Sequence, residues 1–362
     1  MQERGSAHHP SLGPHVRSSI RLATSALVLI GMVGVMAPSA ATAIPSRLGI
    51  AQDVPLTVKV PIRTVVAPDL EALNGVVDVR LGDSAAFPVM LDTGSVGLRV
   101  FPGVWSKTPR SVKLTSTRVV LGTGSRSTTG TLGSAPITIG GVTSTRPVIF
   151  QVVPTSSPYI EQWLAMGVYG ILGVGTGSSP VPNPLSALPA GAGRHWSIHF
   201  TRPVAQRTVA LGSLVLGALP PADASATLVL PPEGPNADSV PLWNDHEAKA
   251  CWTFGHLKEQ CVGTWLDSGF HFLRAKGAVF SRVPTQRGDL VRSGTPITMA
   301  ASGSGFATWR FVAGTTPSRN VAKVLPKGRA GINTGNAPFF EYTVTYDIEQ
   351  GLISLSTPPQ RP

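Results

Sequence analysis

Two short segments of the chain each place an aspartate before a hydroxyl residue and a glycine. They are Asp92-Thr93-Gly94-Ser95 and Asp267-Ser268-Gly269, and each follows an apolar stretch. Glycine lets the chain turn so that its backbone N–H approaches the carboxylate, and the neighbouring hydroxyl donates or accepts a supporting hydrogen bond. A single segment of this kind occurs in ordinary turns. Two copies 175 residues apart indicate a paired site with one copy in each half of the chain.

Two facing carboxylates have a defined chemistry. Like charges at short distance cannot both ionise easily, so Asp92 and Asp267 would share one proton. The ionised carboxylate then draws a proton from a water that attacks a peptide carbonyl. Its protonated partner hydrogen-bonds the carbonyl oxygen and later protonates the leaving nitrogen. We expect neither a metal nor an organic cofactor, because this chemistry needs none.

Short strands must position these loops. The 362 residues include 39 Gly and 33 Pro, with 42% hydrophobic and 14% charged residues, which disfavours long helices and predicts a β-rich fold of two lobes. We place the first lobe at 44–206 and the second at 207–362, with a boundary near Arg207. Short helices are predicted only at 184–188 and 275–280. Strand-like segments are 56–66, 75–81, 88–91, 118–121, 136–139, 148–153, 208–211, 226–230, 264–266, 308–312 and 341–353.

Further segments extend the pattern around the two aspartates. They are 121–125 (LGTGS), 170–175 (GILGVG), 330–335 (AGINTG) and 342–355, which ends in GLISL. Together with the aspartate motifs they resemble the pepsin-like aspartic proteases over roughly residues 70–355. The resemblance implies an all-β, bilobal pepsin-like fold with pseudo-two-fold symmetry and a catalytic dyad of Asp92 and Asp267. Together with the export signal described below, the chain is also similar to the secreted mycobacterial aspartic proteases that process PE-family surface proteins.

The resemblance also assigns roles to neighbouring residues. It implies that the hydroxyls of Thr93 and Ser268 lock the two loops together and that Ser95 supports the first aspartate. Gly94 and Gly269 complete the loops. The hairpin that closes over substrate, called the flap below, carries Leu121, Gly122, Thr123 and Gly124.

Several residues depart from the family pattern. Phe270 stands where a Ser or Thr supports the second aspartate, so we expect that hydrogen bond to be missing. Leu121 replaces the usual flap Tyr, and Arg99 replaces the Trp that receives it. Arg99 and Arg126 either reach an acidic substrate side chain or, as we favour, are solvated surface arginines. His271 is either a pH-sensitive neighbour of the site or, as we favour, a strand residue that faces away.

The N-terminus predicts export. Two arginines precede an apolar stretch at 22–36, and a small-residue pattern ends at Ala43, as in a cleaved signal peptide over 1–43. A membrane anchor is the alternative, but the stretch falls short of the roughly 20 residues needed to span a bilayer. Export predicts a disulfide between Cys251 and Cys261, and a metal or redox role for them is the weaker alternative. We expect no large prosegment between 44 and Asp92.

Other functions fit the sequence less well. The net charge of +11 is spread along the chain, which excludes nucleic-acid binding but allows association with an anionic cell envelope. The chain has no G-x-S-x-G, H-E-x-x-H or phosphate-loop motif. We therefore predict a secreted or envelope-associated aspartic endopeptidase that is monomeric and takes a polypeptide substrate. The alternatives are a catalytically silent binding or inhibitor protein on the same fold and a structural envelope protein held by its charge.

Overall fold

The computed structural model describes residues 57–67, 72–122, 126–202, 210–236, 238–301, 308–314 and 321–358. These residues belong to one compact unit. The predicted signal segment 1–43 and the predicted lobe boundary at 206/207 lie outside them, so both stay predictions.

Strands dominate the described chain, and each predicted strand-like segment coincides at least in part with one. The strands of the first half are β1 (Val58–Ala67), β2 (Ala72–Leu81), β3 (Phe87–Asp92), β4 (Val96–Val100), β5 (Lys113–Leu121), β6 (Thr128–Ala135), β7 (Ile137–Ile139), β8 (Val142–Thr143), β9 (Val148–Val152), β10 (Gly170–Val174), β11 (His195–His199) and β12 (Ala210–Leu216).

The second half continues in the same way. Its strands are β13 (Ala226–Val229), β14 (Pro232–Pro235), β15 (Pro241–Trp243), β16 (Ala248–Phe254), β17 (Gln260–Trp265), β18 (Leu273–Lys276), β19 (Thr285–Gln286), β20 (Leu290–Val291), β21 (Pro296–Ala301), β22 (Trp309–Val312), β23 (Ala322–Leu325), β24 (Gly331–Asn333), β25 (Thr343–Asp347) and β26 (Leu352–Ser356).

Helices are few among the described residues. They are α1 (Pro158–Ala165), α2 (Ala190–Gly193) and α3 (Ala337–Glu341), with 3₁₀ turns at Pro184–Ala187 and Ala278–Phe280. The sequence prediction missed α1, which Ser157 caps by accepting a hydrogen bond from the N–H of Ile160. The predicted helix at 275–280 is wrong in its first part. Ala275 and Lys276 belong to β18, where they pair with residues of β23 on one side and β24 on the other.

The largest sheet joins strands from both ends of the described chain. Its order is β13-β26-β25-β11-β12-β1-β2-β3-β10-β4-β9-β6-β5, with β7 and β8 attached beside β2. The closing strands β25 and β26 therefore extend the sheet that carries Asp92. A second sheet, ordered β19-β20-β23-β18-β24-β17-β16-β21-β22, carries the segment that leads into Asp267.

The same three-strand unit occurs in both sheets. In the first, β10 lies parallel to β3 and antiparallel to β4. In the second, β24 lies parallel to β17 and antiparallel to β18. Each aspartate loop connects the two outer strands of its unit, so both loops start from buried, paired strands. This repeat confirms the predicted all-β, bilobal architecture with pseudo-two-fold symmetry.

A disulfide fastens the hairpin that leads into the second aspartate loop. Cys251 of β16 lies directly opposite Cys261 of β17, with Cα atoms 3.9 Å apart, and their sulfurs are bonded. The residues on the other face of β16 are buried: Ala248, Ala250, Trp252 and Phe254. The predicted pairing is thus confirmed, and it cross-links strands that one buried face already holds in register.

Replacing both Cys251 and Cys261 by serine should lower the free energy of unfolding by about 2 kcal/mol, because the open chain regains loop entropy when it unfolds. Chemical denaturation followed by tryptophan fluorescence measures this change. Adding a thiol reductant should lower the midpoint of the wild type and leave that of the double variant unchanged. Equal midpoints for both proteins in oxidising buffer would contradict a stabilising cross-link.

Candidate active site

The structure brings the two predicted aspartates together. Asp92 is the last residue of β3, and Asp267 follows β17 by two residues. Both side chains are buried, with relative exposures of 8% and 9%. Their charges act directly on one another, since the negative charge of Asp92 contributes to raising the pKa of Asp267. Sequence motifs 175 residues apart therefore form one site.

Crossed hydrogen bonds hold the two loops to each other. The backbone N–H of Thr93 donates to Ser268 Oγ over 2.9 Å, and the N–H of Ser268 donates to Thr93 Oγ1 over 2.9 Å. Each hydroxyl then donates onward across the interface, Thr93 to the carbonyl of Leu266 (2.7 Å) and Ser268 to that of Leu91 (2.9 Å). All of these atoms are buried and paired, so the loops have one satisfied arrangement.

The glycines permit this close approach. A Cβ added to Gly94 would overlap the carboxylate of Asp267, and one added to Gly269 would overlap that of Asp92. Each glycine also donates its N–H to the aspartate of its own loop, Gly94 to Asp92 Oδ1 at 2.8 Å and Gly269 to Asp267 Oδ1 at 3.0 Å. Any larger residue at either position would push the carboxylates apart.

The second oxygen of each carboxylate has its own donor. Ser95 Oγ donates to Asp92 Oδ2 over 2.6 Å, as the family resemblance implies. Asn333 Nδ2 donates to Asp267 Oδ2, also over 2.6 Å. The expectation that Phe270 leaves Asp267 without this hydrogen bond is therefore wrong, because an amide on the neighbouring strand β24 supplies it.

The sequence contains a signal for Asn333 that our reading did not use. Aligning the two internal copies on Gly173 and Gly335 places Asn333 over Ile171. The strand registers agree, because Ile171 pairs with Arg99 and Asn333 pairs with Arg274, which lies 175 residues further on. In the first copy the supporting donor lies in the loop, at Ser95, and the strand carries the apolar Ile171. In the second copy the loop position is Phe270 and the strand carries the donor. The two substitutions compensate each other.

The pKa of Asp267 is raised from its usual value to about 7. Burial is the largest cause, since it penalises the charged form, and the charge of Asp92 adds to it. The hydrogen bonds from Asn333 and Gly269 act in the opposite direction. Asp267 therefore keeps its proton through mildly acidic conditions, which makes it the proton donor of the pair.

Phe270 connects the second loop to two arginines. The guanidinium of Arg274 on β18 lies 4.3 Å from the ring centroid, and that of Arg126 lies 5.0 Å from it. Arg126 belongs to the connection between β5 and β6, in the first half of the chain. This cation–π contact therefore links that connection to the second aspartate loop. Arg126 is exposed, as we favoured, but the aromatic ring holds it in place.

His271 is neutral at physiological pH. Burial, and to a smaller extent the positive charge of Arg126, lowers its pKa to about 4. His271 therefore lies near Arg126, and it precedes β18 rather than belonging to a strand. Its expected orientation away from the aspartates stays a prediction. A neutral imidazole does not titrate near pH 7, so this position does not act as a sensor in the neutral range.

The flap hairpin forms as predicted, with Leu121 of β5 paired to Thr128 of β6. Leu121 is buried against Val119 and Val181. Leu121 and Gly122 line the same cavity as Gly94 and Ser95, so this end of the hairpin lies over the first aspartate loop. The other two predicted flap residues, Thr123 and Gly124, lie outside the described residues.

Arg99 differs from the surface arginine that we favoured. It lies on β4 with a relative exposure of 5% and lines the cavity beneath the flap. The Trp-to-Arg difference from the family pattern therefore puts a cation inside the cleft.

Within the described residues, one group of three acidic, Cys or His side chains brings its ligand atoms close enough for a metal. It consists of Cys251, Glu259 and Cys261. Its two sulfurs are bonded to each other, which removes the thiolates that a metal would require.

Comparison with solved structures identifies the fold. The chain is similar to the aspartic proteinase from Irpex lacteus, with a TM-score of 0.59 and 16% identity over 84% of this chain and 98% of that one. The architecture is thus the pepsin-like bilobal fold. No family model matches the chain. No curated protein matches it in sequence. These comparisons give no support to the narrower resemblance to mycobacterial proteases.

None of the helices in the described part of the chain combines the length and the apolar character needed to cross a bilayer.

Replacing Thr93 by valine should cost about 2–4 kcal/mol of unfolding free energy, because it strands the N–H of Ser268 and the carbonyl of Leu266 in a buried interface. Ser268→Ala should cost a similar amount. Thr115→Val is the matched control, since it removes an exposed hydroxyl and should change stability by no more than about 0.5 kcal/mol. Denaturation midpoints measure all three. Equal effects at positions 93 and 115 would refute the role of the crossed bonds.

Removing the amide of Asn333 should raise the pKa of Asp267 further, because that hydrogen bond stabilises the carboxylate. The Asn333→Ala variant should therefore titrate Asp267 at higher pH than the wild type. Adding Phe270→Thr to it restores a hydroxyl at the position equivalent to Ser95 and should return the pKa towards the wild-type value. Carboxyl ¹³C NMR measures both shifts. An unchanged pKa in Asn333→Ala would contradict the assignment.

Proposed function

We propose that the protein is an aspartic endopeptidase. The observation that carries this proposal is the pair of buried carboxylates, each with a backbone donor on one oxygen and a side-chain donor on the other. The pKa of Asp267 is raised to about 7, and the negative charge of Asp92 contributes to this rise. A proton donor and a proton acceptor thus lie side by side beneath an open cleft, as general acid–base hydrolysis requires.

The environments assign the two roles. Asp92 is the base, which takes a proton from a water held between the carboxylates as that water attacks the peptide carbonyl. Asp267 is the acid, which donates a hydrogen bond to the carbonyl oxygen and then a proton to the leaving nitrogen. Fixed hydrogen-bond donors hold both carboxylates in place, so the lone pairs of the carboxylate oxygens stay aimed at the water. The two side chains therefore need to reorganise little during the reaction.

The catalytically silent binding protein is the alternative. Phe270 and the altered flap favour it, but Asn333 supplies the hydrogen bond that Phe270 does not make. Burying two acids that repel each other raises the free energy of the folded protein, which binding alone does not require. The protease is therefore the function that the geometry supports best.

We further propose that the enzyme acts outside the cytoplasm on polypeptide substrates. The Cys251–Cys261 disulfide supports an oxidising compartment, and the N-terminal pattern of the sequence agrees with it. The net charge of +11 favours association with an anionic cell envelope, which would be released by salt.

A diverse peptide pool tests the proposal directly. The purified protein should cut peptides with a bell-shaped pH dependence, and the activity should fall as the pH rises through about 7, because Asp267 then loses the proton that it must donate. Asp92→Asn and Asp267→Asn should each lower kcat by at least about a thousandfold. Mass spectrometry identifies the cut sites.

The Arg310→Met protein serves as a folded control with full activity, because Arg310 is exposed on β22. Cuts that persist in either asparagine variant would reject the dyad mechanism. A folded wild-type protein that cuts nothing at any pH would favour the binding protein.

A further inference from the structure

A cavity of about 420 Å³ lies beside the first aspartate loop. On one side it is lined by that loop and the flap, through Gly94, Ser95 and Leu121. On the other it is lined by Ser178, Glu233 and Asp245. A substrate threaded beneath the flap would place a side chain here, one step along the cleft from the carboxylates.

Arg99 enters this cavity without a partner. It is 95% buried, by its relative exposure of 5%, and its Nε has no hydrogen-bond acceptor among the described residues. None of the carboxylates in the described ranges forms an ion pair with it, although nine such pairs form elsewhere in that part of the chain. The undescribed flap residues 123–125 are Thr, Gly and Ser, so they bring no acid.

The acids of the cavity are already engaged elsewhere. Glu233 Oε2 accepts a hydrogen bond from the N–H of Ser178 at 2.9 Å. Asp245 Oδ2 accepts one from the N–H of Thr176 at 2.8 Å. Both carboxylates therefore brace the far wall of the cavity, and neither forms an ion pair with Arg99.

A buried guanidinium stays charged, because its pKa exceeds 12. Keeping such a charge out of water without a partner is strongly unfavourable. The planar fork of an arginine matches a carboxylate with two parallel hydrogen bonds. Arg126 adds a second positive charge nearby, since it and Arg99 both act electrostatically on Tyr159 of α1. The guanidinium of Arg99 is therefore complementary to a carboxylate, whereas Glu233 and Asp245 keep the far wall of the cavity negative.

We propose that Arg99 binds the side-chain carboxylate of an aspartate or glutamate in the substrate and so makes the protease selective for an acidic residue at this one subsite. The inference rests on the proposed function and adds to it the class of side chain recognised. Arg99 is a specificity residue in this account, since it contacts the substrate away from the reacting bond.

Paired octapeptides that differ only by Glu or Gln at one position at a time test the selectivity. The wild type should cleave the Glu peptide at least about tenfold more efficiently, by kcat/KM, at one position. Arg99→Met should abolish that preference and retain cleavage of the Gln peptide. Arg310→Met is the matched control, because it removes one exposed charge from β22 in the other sheet and should keep the preference.

Binding measured without turnover separates this proposal from the proposed function. Fluorescence anisotropy with Asp92→Asn protein should show tighter binding of the Glu peptide than of its Gln partner, and Arg99→Met in the same background should equalise the two. That result would uphold the subsite even if the wild type cut nothing. Equal binding and equal cleavage of every Glu and Gln pair by the wild type would overturn it.

Misfolding of the variant would be visible independently. Arg99→Met replaces an unpaired buried charge by an apolar side chain of similar length, so its thermal midpoint should equal or exceed that of the wild type. Arg99→Lys keeps the charge but loses the fork, and it should retain part of the Glu preference. Full preference in Arg99→Met would contradict the assignment.

Discussion

The crossed hydrogen bonds between Thr93 and Ser268 are the constraint on which the rest of the site depends. They fix the separation of two loops that arise from different sheets, and they place each glycine against the opposite carboxylate. Because the loops cannot move apart without stranding buried polar groups, the two aspartates remain close despite their repulsion. The raised pKa of Asp267 is a consequence of this enforced proximity and of burial.

The charges in the cleft depend on a few side chains that differ from the pattern of the pepsin-like proteases. Moving the donor of Asp267 from the loop to β24 releases position 270 for an aromatic ring, which then receives the guanidinium groups of Arg126 and Arg274. Arg99 adds a buried cation in the cavity beside the first aspartate loop. The site thus keeps the hydrogen bonds that the proposed hydrolysis needs, while Arg99, Arg126 and Arg274 lie around it.

Local sequence patterns predict those parts of the structure that residues close together in the chain determine. The aspartate loops, the flap hairpin and the Cys251–Cys261 pairing each depend on neighbouring residues and turn chemistry, and all three form as expected. The donor to Asp267 and the burial of Arg99 were not predicted, because they depend on strand register and on packing between residues far apart in the chain. The pairing of β25 and β26 into the first sheet is likewise a long-range event. Comparing the internal repeats position by position offers a signal for Asn333 alone.

The most direct test of the shared proton is a carboxyl ¹³C titration of protein labelled at aspartate. The account predicts one aspartate that titrates near pH 7, disappears in Asp267→Asn, and titrates at lower pH in Asp92→Asn, because the neighbouring charge is then removed while burial remains. If every signal lost in Asp267→Asn titrates below pH 5 in the wild type, the two carboxylates do not share a proton and the proposed mechanism is wrong.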